Sequence, residues 1–380
     1  MEQTRGHIVL ASGGTGGHIF PARALAGELR ERGYQVTLMT DERGERYEEM
    51  FPGATIKQIK AGSPSLGGLP GKVTSVFKLG VGLLQSIMYL RQIKPDAVVG
   101  FGGYPSLPPT FAASLLKIPL LLHEQNAILG RVNRLLARRA NCIATSFAYT
   151  DTDERNLQAK MSFTGNPVRR EIQELHGTPY RCVGNEEPVN LLITGGSQGA
   201  KILSDVVPVA VSLLDKDLQA RLHITQQCRA EDIDQVRSLY ANTASIVVLD
   251  TFFSNMPELL ANCHLAIGRS GASTMAELAA AGRPAILVPY KFAMDDHQTK
   301  NARCSVDLGA AVLIAQDDFT PELLSSKLKT LLECPDKLKT MALATANSAE
   351  IGAAAKLADL VERFTGNRTS RSIKSGKVVA

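Results

Sequence analysis

The sequence has no tryptophan, only 5% aromatic residues and six cysteines in 380 residues. Each shortage closes off a class of protein. The thiols at Cys142, Cys182, Cys228, Cys263, Cys304 and Cys334 form no CxxC pair, so neither a disulfide framework nor a zinc site is expected. Thiols scattered in this way suit a reducing cytosol. Aromatic residues are not interleaved with basic ones and no known RNA or DNA module is present, which argues against a nucleic-acid partner. Long apolar runs are lacking too. The longest, Val73 to Leu90 and Leu115 to Leu122, are interrupted by Lys78, Lys117 and glycines, and are expected to fall short of the ~20 residues that a membrane-spanning helix needs. Met1 to Gly6 is polar, without the charged start, apolar middle and cleavage site of a signal peptide, so the chain is expected to stay in the cytosol with peripheral membrane contact only. No residue cluster has metal-ligand spacing, Asp295-Asp296 is not a DxD motif, and no cofactor is expected.

What remains is a chain that is 44% hydrophobic and 21% charged, enough for two domains with cores of ordinary size. Its formal charge is only +5, yet Lys57 to Arg139 carries eleven Lys/Arg against Asp96 and Glu124, a local excess of +9. Apolar runs alternate with helical patterns at His7 to Ala11, Pro21 to Arg32, Gln35 to Thr40, Ala97 to Gly100, Leu120 to His123 and Cys142 to Thr145. The rhythm restarts after Asn166-Pro167 with Asn190 to Thr194, Ala220 to Thr225, Ser245 to Leu249, Leu265 to Gly268 and Ala285 to Pro289. Such alternation predicts an α/β protein of two Rossmann-like, doubly wound parallel-sheet domains facing a cleft.

Glycine-rich turns open both halves, Gly13 to Gly17 and Gly195 to Gly199, each after an apolar run. Bare N–H groups at a helix N-terminus favour anions, so a phosphate-bearing ligand is expected. The first turn lacks the third glycine of GxGxxG, although Asp41 stands near where an acid would hold a dinucleotide ribose, which keeps an NAD(P)-dependent oxidoreductase among the alternatives. Neither turn ends in GK[ST], which argues against a kinase or ATPase. His18, directly after the first turn, is placed to act as a base or only to hydrogen-bond the loop. A third cluster, Gly100 to Pro105, either permits only a tight turn or adds a second anion cradle, with Gly14, Gly102, Gly103 and Tyr104 then implying a diphosphate. His123-Glu124-Gln125-Asn126 closes a buried strand, where open α/β sheets bind ligands. In the second half Arg269 to Glu277 opens a helix whose start would take phosphate, with Glu277 able to accept from a ribose diol. Between Leu69 and Leu90, apolar residues alternate with lysines at helical spacing. The helix either packs on its own sheet or, as the local excess of +9 favours, lays Lys72, Val76, Phe77, Lys78 and Leu83 as a face on anionic lipid.

The ordered segments GGTGGH (Gly13 to His18), GFGGYPS (Gly100 to Ser106), HEQNAILGRVNR (His123 to Arg134), GNPVR (Gly165 to Arg169), GGSQGA (Gly195 to Ala200) and RSGAST-x-x-E (Arg269 to Glu277) closely resemble the bacterial MurG family, the N-acetylglucosaminyltransferases that make lipid II. The resemblance implies a glycosyltransferase-B fold, with UDP-N-acetylglucosamine as donor and undecaprenyl-diphosphate-linked N-acetylmuramyl-pentapeptide (lipid I) as acceptor at the cytoplasmic face of the inner membrane. Other cell-wall or division proteins would be partners. Residues 1–168 would bind acceptor and membrane, 169–347 the donor, and a helix at about 348–366 would pack back on the first domain. Residues 367–380 are expected to be a basic, disordered tail. Carried over by position, Thr15, Gly16, Gly17, Asn126, Arg169, Ser197, Phe253, Ala272, Ser273, Thr274, Glu277 and Gln298 would contact the donor. Phe253 stands where a smaller aliphatic is common, and His297 replaces a common glutamine. His18 or Glu124 would be the base of an inverting, metal-independent displacement. The alternatives left open are a UDP-N-acetylglucosamine epimerase-like enzyme, the oxidoreductase, and a non-catalytic nucleotide-sugar-binding scaffold on the membrane.

Overall fold

A computed structural model describes residues 4–62, 69–152, 155–184, 186–196 and 199–374, with the side chains of 45, 46, 69–72, 155 and 366–374 excepted. The chain divides into a first unit of residues 1–169 with 352–380 and a second unit of residues 170–351. The first is built on β1 (Gly6–Ala11), β2 (Tyr34–Thr40), β3 (Thr55–Gln58), β4 (Ala97–Gly100), β5 (Leu120–Glu124), β6 (Cys142–Thr145) and β7 (Met161–Phe163). They form one parallel sheet in the order β3-β2-β1-β4-β5-β6-β7. The second unit holds β8 (Val189–Thr194), β9 (Leu222–Gln227), β10 (Ile246–Asp250), β11 (Leu265–Gly268), β12 (Ala285–Leu287) and β13 (Ala311–Leu313). Their order, β10-β9-β8-β11-β12-β13, repeats the same winding. In each sheet the order reverses beside the first strand, between β1 and β4 and between β8 and β11, and the loops leaving those strands flank a ligand crevice.

The central strands of both sheets are buried on two faces, which is why they read as continuous apolar runs. Ile8 and Leu10 face one side with α1 (Gly16–Glu31), whereas Val9 and Ala11 face the other with α2 (Leu69–Ile93) and α3 (Leu107–Leu115). Of the buried residues of α1, Ile19, Ala22, Leu25, Ala26 and Leu29 recur at helical spacing, and Pro21 is buried beside them. Leu357, Ala358 and Val361 of the helix Ala353–Lys374 lie in the same cluster. Arg32 fastens the two helices, donating to Asp359 at 2.6 Å and Glu362 at 3.1 Å.

Several expectations need correction. Strands β3, β7 and β13 are additional. Helix α1 starts at Gly16 rather than near Pro21, and β9 starts at Leu222 because the helix Lys216–Arg221 takes the residues before it. The last helix runs to Lys374, past the expected start of the tail at 367, since Gly366 weakens a helix without stopping it and no proline follows. Residues 375–380 lie outside the described residues.

Helix α2 also differs from expectation. Its stretch Val73–Ile93 is long and apolar enough to cross a membrane, with mean hydropathy 1.4, and 22% of it is buried. Gly80 and Gly82 do not break it. One face is nonetheless committed to the core, where Leu83, Ile87 and Leu90 pack with Val98 and Ala112. A Cβ at Gly82 would collide with the Lys60 carbonyl oxygen, so only glycine permits this approach. Leu83 is therefore not on the outward face. The helical repeat sends Val73, Val76, Phe77, Leu84 and Met88 outward instead, Phe77 with 72% of its surface exposed.

Candidate active site

In the first unit, the turn after β1 meets the turn after β4. A Cβ on Gly13 would stand 2.8 Å from Pro105 Cβ, and one on Gly103 would stand 3.2 Å from both the Gly13 carbonyl oxygen and His18 Cδ2. Gly14, Gly102 and Gly103 all have positive φ, at 95°, 77° and 72°. Glycine is required on both sides of the contact. The extended Thr15 precedes α1 without capping it by its side chain, so N–H groups at the start of α1, around Gly16 and Gly17, are presented to a ligand. His18 lies in that first turn, its carbonyl oxygen accepting from Ser12 Oγ at 2.9 Å. Arg169 stacks over Phe20 of the same helix at 5.6 Å.

A second layer holds these turns in place. Arg43 donates from Nη1 to the Gly14 carbonyl oxygen at 2.8 Å, from Nη2 to Tyr104 Oη at 2.9 Å, and from Nε to both carboxylate oxygens of Asp41. Asp41 is only 3% exposed. The acid that a dinucleotide ribose would need is thus already engaged. Nothing in the local sequence pattern marks Arg43, which lies in the short 3-10 segment Glu42–Tyr47.

The end of β5 supplies the deepest polar group. Glu124 is buried and accepts four hydrogen bonds: from Asn126 N–H at 3.0 Å, Asn126 Nδ2 at 3.2 Å, Gly130 N–H at 2.8 Å and Asn133 Nδ2 at 2.8 Å. These bonds fold the segment 124–133 around its carboxylate. Gln125 stands between two imidazoles, 3.1 Å from His18 Nδ1 by its oxygen and 3.0 Å from His123 Nδ1 by its nitrogen. His123 is fully enclosed, and burial pushes its pKa down to about 4, opposed by a bond to the Gly165 carbonyl and assisted by the nearby His18. It is neutral near pH 7.

In the second unit, the strand ends carry a different set of polar groups. Ala272, Ser273 and Thr274 form the first turn of the helix Ala272–Ala281, entered through Gly271 in an extended conformation. The Ser273 hydroxyl is buried with no protein partner. Glu277 lies one turn further along, half-buried. Ser270 Oγ donates to the Gln298 carbonyl oxygen at 2.8 Å, and Gln298 Oε1 accepts from the Tyr290 N–H at 2.9 Å. Two successive residues in the left-handed region, Asp295 (φ 54°) and Asp296 (φ 52°), set the start of the Gln298 helix at a cost of about 1 to 2 kcal/mol each. Arg269, nearly buried, donates to the Val288 and Pro289 carbonyls and stacks on Tyr290 at 5.3 Å. Burial and the neighbouring Arg229 lower its pKa, though Tyr290 opposes them. Phe253 is half-buried after β10. Gly196 and Gly199 take positive φ in the loop after β8, while Ser197 lies outside the described residues.

The model of the glycosyltransferase family 28 N-terminal domain matches residues 8–145, and that of the C-terminal domain matches residues 190–363. The chain belongs to glycosyltransferase family 28. A family member from Paramagnetospirillum magneticum, named UDP-N-acetylglucosamine–N-acetylmuramyl-(pentapeptide) pyrophosphoryl-undecaprenol N-acetylglucosamine transferase, is 48% identical over 374 residues, 97% of this chain and all of that one. The crystal structure of MurG from Acinetobacter baumannii is similar with a TM-score of 0.76 and 32% identity, covering 94% of this chain and 99% of that one. A UDP-GlcNAc 2-epimerase from Neisseria meningitidis shares the fold, at a TM-score of 0.65 over 94% of this chain and 99% of that one, but only 15% identity. As a family 28 member the chain is a glycosyltransferase of glycosyltransferase-B fold, built from two parallel-sheet units.

Proposed function

We propose that the chain transfers N-acetylglucosamine from UDP-N-acetylglucosamine to undecaprenyl-diphosphate-linked N-acetylmuramyl-pentapeptide, turning lipid I into lipid II in peptidoglycan synthesis. The observation that carries this reading is His18, in the first turn of α1 where two glycine turns meet, in a family 28 chain. The acceptor hydroxyl attacks the sugar's anomeric carbon, His18 takes its proton, and UDP leaves with inversion. Helix N-termini and Arg169 stabilise the departing diphosphate. Glu124 holds its own loop through four donors, which makes His18 the better proton acceptor.

Residues 1–169 with the last helix take the acceptor, through the glycine turns around Gly14, Gly102, Gly103 and Tyr104. Residues 170–351 take the donor at Phe253, Ala272, Ser273, Thr274, Glu277 and Gln298, and the resemblance adds Ser197. The outward stripe of α2, with Val76, Phe77 and Lys78, rests on anionic lipid at the cytoplasmic face of the inner membrane, and the excess of +9 from Lys57 to Arg139 supports that placement.

The test is to incubate the chain with labelled UDP-N-acetylglucosamine and a lipid I analogue, with and without chelator. Label passing into the lipid phase in both arms supports a metal-independent transferase. Donor binding without transfer supports a membrane scaffold. Conversion of the donor without acceptor supports an epimerase-like enzyme, and Asp41, engaged by Arg43, gives the oxidoreductase no ribose acceptor.

A further inference from the structure

His18 is backed by a line of buried side chains whose protons can be assigned from a single fixed point. Gln125 Nε2 lies 3.3 Å from the His123 carbonyl oxygen, an atom that can only accept. The amide end facing His123 is therefore the NH2 group, and the end facing His18 is the oxygen. An amide oxygen also only accepts, so His18 Nδ1, 3.1 Å away, carries a proton. On the other side the same NH2 group donates to His123 Nδ1 at 3.0 Å, so that nitrogen holds its lone pair. His123 then carries its proton on Nε2, which lies 3.4 Å from the Gly165 carbonyl oxygen and donates to it. Every link agrees with a neutral, enclosed His123.

We propose that Gln125, fixed by His123, is a positioning residue that locks neutral His18 with its proton on Nδ1, leaving the Nε2 lone pair to take the acceptor's proton. This inference rests on the reading of His18 as the base. Imidazole left to itself in water prefers its proton on Nε2, which would leave the acceptor-side nitrogen unable to accept. When the acceptor oxygen bonds to the anomeric carbon and the bond to UDP breaks, the hydroxyl proton moves to His18 Nε2. The imidazolium keeps its Nδ1 proton donated to Gln125, and no proton passes along the line, because an amide cannot relay one. A carboxylate in place of Gln125 would orient the ring equally well but would also favour its protonated form, which is useless as a base at rest. The neutral amide orients without charging.

The experiment uses the full chain labelled with ¹⁵N and ¹³C at histidine, as wild type, His18→Gln for assignment and Gln125→Met. Histidine nitrogen shifts are read above pH 7.5, beside kcat and KM for transfer. In the wild type His18 is expected to show a protonated Nδ1 and an unprotonated Nε2, whereas a protonated Nε2 overturns the proposal whatever the activity. That spectrum stands even if Gln125→Met fails to fold. In folded Gln125→Met, the His18 proton should move to Nε2 and kcat fall about 10²-fold, at the lower end of general-base effects, with the donor KM changed less than about twofold. An unchanged kcat after the proton has moved overturns the positioning role. Full turnover by His18→Gln removes the base reading instead, and leaves the proton assignment to be judged by its own spectrum.

Discussion

The two units wind their sheets in the same order and place glycine turns at the same point, yet they equip those turns differently. Around the turns of the first unit stand two imidazoles and two buried carboxylates, Asp41 and Glu124, each with its protons or donors accounted for. The second unit offers an uncapped helix start, the unpartnered Ser273 hydroxyl and the buried Arg269. On the proposed function, the first set handles protons and the second attracts anions. A duplicated winding fixes where a ligand sits, and the residues at the strand ends decide what happens to it.

The sharpest way to break this division is His18→Ala. Transfer is expected to fall about 10³-fold while donor affinity, measured by calorimetry, changes less than about twofold. An equal loss of donor binding would move the division elsewhere.

The next largest effect concerns pH. Unfolded, His123 takes a proton near pH 6.5, whereas folded it resists until about 4. Between those values the unfolded state holds the extra proton, so stability falls as pH drops from 6.5 towards 4. At pH 5 the loss from this one group is about 2 kcal/mol relative to pH 7.5. His264 of the second unit, held down to about 4 mainly by burial, adds a loss of the same sign. Denaturant titrations at the two pH values check both, and His123→Gln should flatten the part due to the first unit.

For the second unit, Thr274→Asp puts a negative charge in the first turn of the helix Ala272–Ala281. The KM for UDP-N-acetylglucosamine should rise about tenfold with kcat little changed. The smallest effect belongs to the membrane face. Phe77→Asp should weaken binding to anionic vesicles about fivefold, the equivalent of about 1 kcal/mol of lost apolar burial, and leave transfer to a water-soluble acceptor unchanged.

The strands that sequence made legible are mostly those buried on both faces, where apolar runs are unbroken. The three that it did not, β3, β7 and β13, are all edge strands of three or four residues. Thr55–Gln58 has no buried residue at all, so no period could reveal it. The start of α1 was hidden because Gly16 and Gly17 read as loop, although those glycines are what the turn needs. In the site, the glycine turns and the His123 to Asn126 cluster stood out as local patterns. Arg43 did not, because its meaning comes from Gly14 and Tyr104, which are distant in sequence. Leu83 and Leu84 are neighbours on paper. Only the fixed rotation of α2 against Lys60 separates the core residue from the exposed one.

The return of the helix Ala353–Lys374 to the first unit sets the order in which the molecule can be made. Leu357, Ala358 and Val361 have no exposed surface, so α1 lacks their cover until the ribosome has produced all of residues 170–351 and more. At ~5–20 residues per second that delay is on the order of ten seconds or longer. The half that is translated first is the half that finishes folding last, and the nascent chain carries an open apolar groove throughout the interval.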